Sequence, residues 1–435
     1  MSHITFFSDM MATLFERGMG KLNDVSRVPM VDLCAALLSP QGEVSGTRLA
    51  REVLAKYRGL DLEGRREFFR YLATDLDLDP DAVAQAALAY RETRDAKHLT
   101  ALCREAEPRR QELLRRLNQA PGATQDLVRM RLDLLGMIKS DPDLAVIDPD
   151  FRHLFASWFN RGFLVLRPID WRTPANILEK IIEYEAVHAI DDWDDLQRRL
   201  RPVDRRCFAF FHPAMAEEPL IFVEVALTKG IAGSVQALLA EERAALAEAE
   251  MDTAIFYSIS NCQAGLAGIS FGNSLIKQVV EELKRDLPQV KRFATLSPVP
   301  GFSGWLKEVA DTRPEAAELL RVAQAADPAQ MKPLSASLKR LCAEYLATAK
   351  NRRGLPADPV ARFHLGNGAS LHEVHALADV SANGFRKSCS AMVNYYYDLA
   401  KVEQNNESFV TQNKVTLSKQ VKALVEQSET TGRPS

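Results

Sequence analysis

The chain has 435 residues, 46% hydrophobic and 26% charged, with a formal net charge of -3. That length allows two or three domains with a substantial core, and the near balance of charge argues against a general affinity for nucleic acid or an anionic membrane. No run of about 20 apolar residues occurs, so no transmembrane helix is expected, and six cysteines scattered without a C-x-x-C pair argue for free thiols in a reducing compartment rather than a structural zinc site.

The first residues, ITFFSDMMATLFERG, are apolar but carry Asp9 and Glu16 and lack a cleavage pattern, so an amphipathic helix or packed arm is expected there. Up to about residue 160 the pattern is helices with short breaks. Apolar residues at 49, 50, 53 and 54 predict a helix over 48–57, and further helices are predicted over 65–73, 82–93, 109–118 and 125–138. Thr124 is the expected cap of the last of these, and Pro108 opens the one before it. Interleaved arginines and carboxylates mark solvated helix faces. The region reads as an oligomerisation or docking module or as a plain helical appendage.

Prolines and aspartates at 141–149 form a joint, and the domain boundary is placed near 159–162. Thr173-Pro174 predicts a capped helix over 175–185, and 193–200 a second short one. Residues 206–211 and 220–227 are strand-like. Glu224 inside the second run is costly unless partnered, either as a structural salt bridge or as part of a site. The alanine- and glutamate-rich stretch 235–251 predicts a helix.

Residues 254–306 organise the second half. Ala254 to Ser260 reads as a buried strand. Gly265, Gly268 and Gly272 follow where a helix must start, and Phe271, Leu275, Ile276, Val279, Val280, Leu283 and Leu287 give that helix one apolar face until Pro288 stops it. A short strand over 293–296 leads into S-P-V-P-G-F. A helix start with nearby glycines suits an anion, because unpaired N–H groups and the helix dipole point at it. The same glycines would also serve a tight crossing that binds nothing. Neither a Walker loop nor G-x-G-x-x-G is present, which argues against a dinucleotide fold. Beyond residue 306, helices are predicted over 313–326 and 334–348. Asn351 to Gly354 forms a turn whose Arg352 and Arg353 read as solvated. A strand is predicted over 360–365 before the Gly366-Asn367-Gly368 turn. Residues 371–377 read as a strand or short helix, 391–400 and 416–427 as helices, and the last residues as disordered.

Three segments carry a family resemblance. They are YSIS with Q-A-G-L-A-G-I-S-F-G-N-S-L-I-K, T-L-S-P-V-P-G-F-S-G-W-L, and F-H-L-G-N-G-A followed by A-D-V-S and M-V-N-Y-Y-Y. The chain resembles malonyl-CoA decarboxylases of the bacterial type, from about the fourth N-terminal helix to about Phe409. The resemblance implies an α+β protein, with an all-α N-terminal domain over 1–160 and a GNAT-like (acetyltransferase-fold) mixed-sheet catalytic domain over 161–435. It implies conversion of malonyl-CoA to acetyl-CoA and carbon dioxide, in fatty acid metabolism, with no metal and no cofactor. It implies Ser297 and His364 as the catalytic pair, and Ala267, Gly268, Ile269, Ser270, Phe271, Gly272 and Asn273 as the CoA-contacting turn. A homotetramer is implied, with no nucleic-acid or membrane partner. The chain lacks the S-K-L ending that some members carry, which fits a cytoplasmic protein.

Without the resemblance, Ser297 would be read as a turn cap, and His364 as a hydrogen-bonded core residue. Ser297 sits in no G-x-S-x-G elbow. His364, His372 and His375 would be three ligands for a metal, but His-Glu-Val-His is not H-E-x-x-H. Tyr257, Asn367 and the run Asn394, Tyr395, Tyr396 and Tyr397 are further candidates for substrate contact or for packing. Two other functions share the fold: an acyltransferase, which would need an amine acceptor, and an acyl-CoA sensor, which would bind malonyl-CoA without turnover.

Overall fold

The computed structural model describes residues 28–40, 42–243, 246–269, 271 and 275–431. The N-terminal arm, Ser270, Gly272, Asn273 and the last four residues lie outside them. Two compact units are present. The described residues up to Trp158, with Ala264–Ile269, form one, and Phe159–Gln263 with the described residues beyond 270 form the other.

The first unit is all helical. Its helices run Met30–Leu38, Glu43–Arg58, Leu62–Thr74, Pro80–Thr93, Ala96–Glu105, Arg109–Leu117, Ala123–Met137 and Asp148–Trp158. Aspartates start three of them: the side chains of Asp61, Asp79 and Asp95 accept N–H bonds from the first turn, and Pro80 occupies the position where a missing N–H costs nothing. Leu49, Val53, Phe69, Leu72, Leu113, Leu134 and Phe151 form the core, all buried. Thr124 is not a cap. The helix begins one residue earlier, behind Gly122 at φ 77°, and the Thr124 hydroxyl donates to Asn118 at 2.8 Å instead.

Ala264–Ile269 belongs to this helical unit although it comes from the second half of the chain. Gly265 lies so close to the helix Ala123–Met137 that a Cβ would collide with the carbonyl oxygen of Val128. The glycine is needed there for backbone approach.

The second unit is a mixed sheet with helices. Its strands are β1 Val165–Ile169, β2 Arg205–His212, β3 Met215–Thr228, β4 Thr253–Asn261, β5 Arg292–Thr295, β6 Ser297–Pro298, β7 Ser370–His375 and β8 Met392–Tyr396. They are ordered β1-β2-β3-β4-β5-β8-β6, with β7 on β8. All pairs are antiparallel except β4 with β5. That parallel pair needs a crossover, which the helix Leu275–Asp286 supplies with Leu275, Ile276, Val279, Val280 and Leu283 buried. A bulge interrupts β3–β4 after Glu224. The α+β class and the mixed sheet are as expected.

Four local expectations are corrected. Residues 235–251 are not one helix: among the described residues a helix covers Val235–Leu239 and a 3-10 turn covers Glu248–Glu250. The intrinsic preference of alanine and glutamate is weak without an apolar face to bury. Residues 360–365 are helical, within Pro359–Gly366, because Asp358 caps the start and Pro359 fits its first position. Residues 392–396 are strand β8, as valine and tyrosine favour. Thr173 does not cap Ala175–Tyr184; its hydroxyl accepts the N–H of Asp170 at 3.0 Å.

Gly265→Ala should destabilise the helical unit by about 1–3 kcal/mol, the usual cost of forcing an extra carbon into packed structure. Thermal unfolding followed by circular dichroism would show a lowered midpoint; an unchanged midpoint would mean that the backbone there yields freely.

Candidate active site

β5 ends at Thr295, and the chain turns there. The N–H of Leu296 donates to Phe256 of β4 at 2.9 Å, while Ser297 pairs with Val393 of β8. Side chains alternate along this segment, so Thr295 and Ser297 share a face. The Ser297 hydroxyl donates to Thr295 Oγ1 at 2.8 Å and lies 3.1 Å from His364 Nε2. Both residues are buried.

His364 stands near the end of the helix Pro359–Gly366. Asp358 accepts the N–H groups of Val360 and Ala361 with one oxygen and that of Gly301 with the other, tying the helix start to the turn after Ser297. The next turn closes on the helix end: the N–H groups of Asn367 and Ala369 both donate to the His364 carbonyl at 3.1 Å. Gly368, at φ 83°, packs so closely on the Val402 carbonyl that a side chain would not fit. β8 completes the setting. The Tyr397 hydroxyl is 2.8 Å from His364 Nδ1, and the Tyr395 ring stacks on the imidazole with centroids 4.6 Å apart. The Asn394 amide donates to the Thr295 carbonyl at 2.7 Å.

Burial holds the imidazole neutral, its pKa lowered to about 3, and burial raises the Tyr397 phenol well above its ordinary value. A neutral ring has one donor and one acceptor. One arrangement of protons satisfies every contact: Tyr397 O–H donates to Nδ1, Nε2–H donates to Ser297, and Ser297 donates to Thr295. Sequence reasoning identified the serine and the histidine but left Tyr397 among several contact candidates. It missed Thr295 and Asp358, although Asp358-Pro359 is a legible helix start.

A cleft of about 190 Å³ adjoins this group, with Asn367 and Tyr397 in its lining. Ile276 and Val280 make it apolar on one side, and Lys277, Lys284, Glu281 and Glu403 are the charged residues along it. Of the predicted CoA turn, Ala267, Gly268 and Ile269 lie in the helical unit and Phe271 in the other, while Ser270, Gly272 and Asn273 are outside the described residues. The N–H groups of Ala267 and Ile269 are already bonded to the carbonyls of Ala264 and Leu266, at 3.1 and 3.0 Å. The carbonyls of Gly265 and Ala267 accept from Arg131 at 2.7 and 2.9 Å, and this buried arginine also pairs with Asp148 at 2.8 Å.

The remaining candidates separate. Glu224 is fully buried and 3.3 Å from Arg199; burial and Glu185 push its carboxyl up to about 8, against the pull of Arg199. Arg352 and Arg353 are exposed on a turn organised by the Asn351 side chain. His375 bonds Asn394, and His364, His372 and His375 do not converge. No group of three His, Cys, Asp or Glu is placed to hold a metal ion among the described residues.

Two family models match the chain: the malonyl-CoA decarboxylase N-terminal domain over residues 76–159 and the C-terminal domain over 162–433. The mitochondrial malonyl-CoA decarboxylase of Anser anser anser is 35% identical over 423 residues, 87% of this chain and 84% of that protein. The crystal structure of malonyl-CoA decarboxylase from Rhodopseudomonas palustris is 50% identical with a TM-score of 0.83, covering 91% of this chain and 98% of that one. The one from Agrobacterium vitis is 48% identical with a TM-score of 0.86, covering 91% and 99%.

The neutral imidazole has a thermodynamic consequence. His364 in the unfolded chain takes a proton near 6.5, whereas in the fold it does so only near 3. Between those values the unfolded state binds the extra proton, so stability falls as pH falls. From pH 7 to pH 5 this group should cost about 2 kcal/mol. Urea titrations should show His364→Asn losing less stability over that interval than the parent, by about this amount; equal losses would mean that the ring is not held neutral.

Proposed function

Because the chain belongs to the malonyl-CoA decarboxylase family, we propose that Ser297, His364 and Tyr397 act on the substrate as one hydrogen-bonded unit. The enzyme is a carboxy-lyase, converting malonyl-CoA to acetyl-CoA and carbon dioxide. The observation that carries the reading is a buried imidazole bonded to a hydroxyl at each nitrogen, at 3.1 and 2.8 Å, with one of those hydroxyls lining a cleft.

The thioester carbonyl is the electron sink. The bond from the central carbon to the carboxylate breaks perpendicular to the thioester plane, its electron pair passes into the enolate, and carbon dioxide leaves. Ser297 turns its hydroxyl from Thr295 to the carboxylate and sets that orientation. A dry pocket disfavours the charged carboxylate and favours the neutral product. The enolate carbon then needs a proton. Since the imidazole is neutral, Nε2 can give up its proton only as another arrives at Nδ1. Tyr397 supplies it, and a proton from bulk solvent, admitted through the cleft once the product has left, restores the phenol, whose anion is disfavoured by burial.

The coenzyme diphosphate is assigned to residues 267–273 and the helix start that follows. Within that stretch the N–H groups of Ala267 and Ile269 are already bonded to the carbonyls of Ala264 and Leu266. Lys277 and Lys284 line the cleft together with Glu281 and Glu403, and Lys277 pairs with Glu403 at 3.5 Å. The finer reading also includes a cytoplasmic homotetramer; light scattering would report a particle of four 48.5 kDa chains.

His364→Asn should lose about 10²-fold or more in kcat, the range of a positioned acid. Tyr397→Phe should lose less but shift the solvent isotope effect, because it removes the second proton in flight. Near-wild-type turnover in His364→Asn would refute the assignment. Arg131→Leu, assayed where it remains folded, should raise KM for malonyl-CoA roughly tenfold, equivalent to about 1.4 kcal/mol of lost positioning, with little change in kcat. A fall in kcat at constant KM would separate that arginine from the coenzyme.

A further inference from the structure

The proton arrangement of His364 has a cause outside the imidazole. A neutral ring holds one proton, on either nitrogen, and its two partners here are hydroxyls, which both donate and accept. Ser297, His364 and Tyr397 taken alone are therefore satisfied in two ways. The proton sits on Nε2 and is given to Ser297, or it sits on Nδ1 and is given to Tyr397. Only the first serves the reaction, because an enolate in reach of Nε2 finds an acid there only if that nitrogen already carries a proton.

Thr295 breaks the tie. The angles at the two oxygens admit one direction: the Ser297 hydroxyl donates to Thr295 Oγ1 at 2.8 Å. The N–H of Tyr395 donates to the same oxygen at 3.2 Å. Two donors fill the two lone pairs of that hydroxyl. With its proton committed to Thr295, Ser297 offers the ring lone pairs alone. Nε2 is then the protonated nitrogen, and Nδ1 is the bare one that accepts from Tyr397. In the opposite tautomer Ser297 would give its proton to Nε2 and face Thr295 across 2.8 Å with no proton between the oxygens. A buried pair of acceptors left that way is costly.

Thr295 has no freedom to turn aside. It is fully buried at the end of β5, in register with Phe256 of β4. Its carbonyl accepts the Asn394 amide of β8 at 2.7 Å, and a β-branched side chain is stiff about its first torsion. It is not among the described residues that line the cleft, so it works through Ser297. We propose that Thr295 is a positioning residue that sets the tautomer of His364, taking the Ser297 proton and so obliging Nε2 to keep its own. This rests on Ser297, His364 and Tyr397 acting as one unit.

Nitrogen NMR of the full chain labelled with ¹⁵N-histidine reads the tautomer directly at pH 7, since protonated and bare ring nitrogens resonate far apart. The His364 signals are those missing from His364→Asn. In the parent, Nε2 should carry the proton. Thr295→Val keeps the branched shape but removes the acceptor. The freed Ser297 hydroxyl should then donate to Nε2, and the ring proton should move to Nδ1. Thr295→Ser keeps a hydroxyl and should show the parent pattern. With malonyl-CoA, Thr295→Val should lose about tenfold or more in kcat with KM within about twofold, and Thr295→Ser should recover most of that loss. A proton on Nδ1 in the parent, or an unchanged tautomer in folded Thr295→Val, would overturn the proposal. Should Thr295→Val not fold, the parent spectrum and Thr295→Ala decide the matter. An active His364→Asn would sink the catalytic unit, whereas the spectrum tests Thr295 without turnover, so the two failures are distinct.

Discussion

One buried imidazole organises the polar contacts between β5, β8 and the helix Pro359–Gly366. Removing a histidine from water is tolerable only if the ring is neutral and both nitrogens are hydrogen bonded. His364 meets both conditions through Tyr397 and Ser297, and the Tyr395 ring covers its face. The surrounding bonds serve the same end. Asp358 joins the histidine's helix to the turn after Ser297, and Asn394 holds the Thr295 carbonyl beside the hydroxyl that receives Ser297. Three segments separated by dozens of residues thus become one network, in which proton position is dictated rather than free.

In the helical unit a buried arginine fixes the segment Ala264–Ile269. Arg131 is buried, and its guanidinium is satisfied by Asp148 and by the carbonyls of Gly265 and Ala267. A buried guanidinium left without partners would be strongly destabilising. The bonds therefore constrain the segment as much as the segment satisfies the arginine. Gly265 makes the approach sterically feasible. A region whose sequence offers no chemistry thus holds the start of the turn assigned to the coenzyme.

On the far face of the sheet a different polar group is buried. Glu224 sits beside Arg199, which also pins the loop at 188 and 189 through two carbonyls. Glu185 closes the same loop onto Ser258 and Ser260. Buried ion pairs of this kind add little net stability against an apolar replacement, but they define geometry sharply.

Much of this was legible in the residues themselves. The periodicity of 275–287 and the aspartate and proline caps of the N-terminal helices declared their elements, because capping and amphipathic burial are local and repeat at fixed spacing. The motifs S-P-V-P-G-F and F-H-L-G-N-G-A named the serine and the histidine. What failed were stretches where local preference and packing disagree. Residues 235–251 have helical composition, but most of them lack an apolar face to dock. Residues 391–400 were read as a helix, yet Met392–Tyr396 forms a strand between β5 and β7. Only the folded chain decided that Tyr397 would reach Nδ1 and that Arg131 would grip the 265–267 backbone. Each of these joins residues far apart in sequence, and such contacts are chosen by the collective cost of burying polar groups, which no single segment encodes.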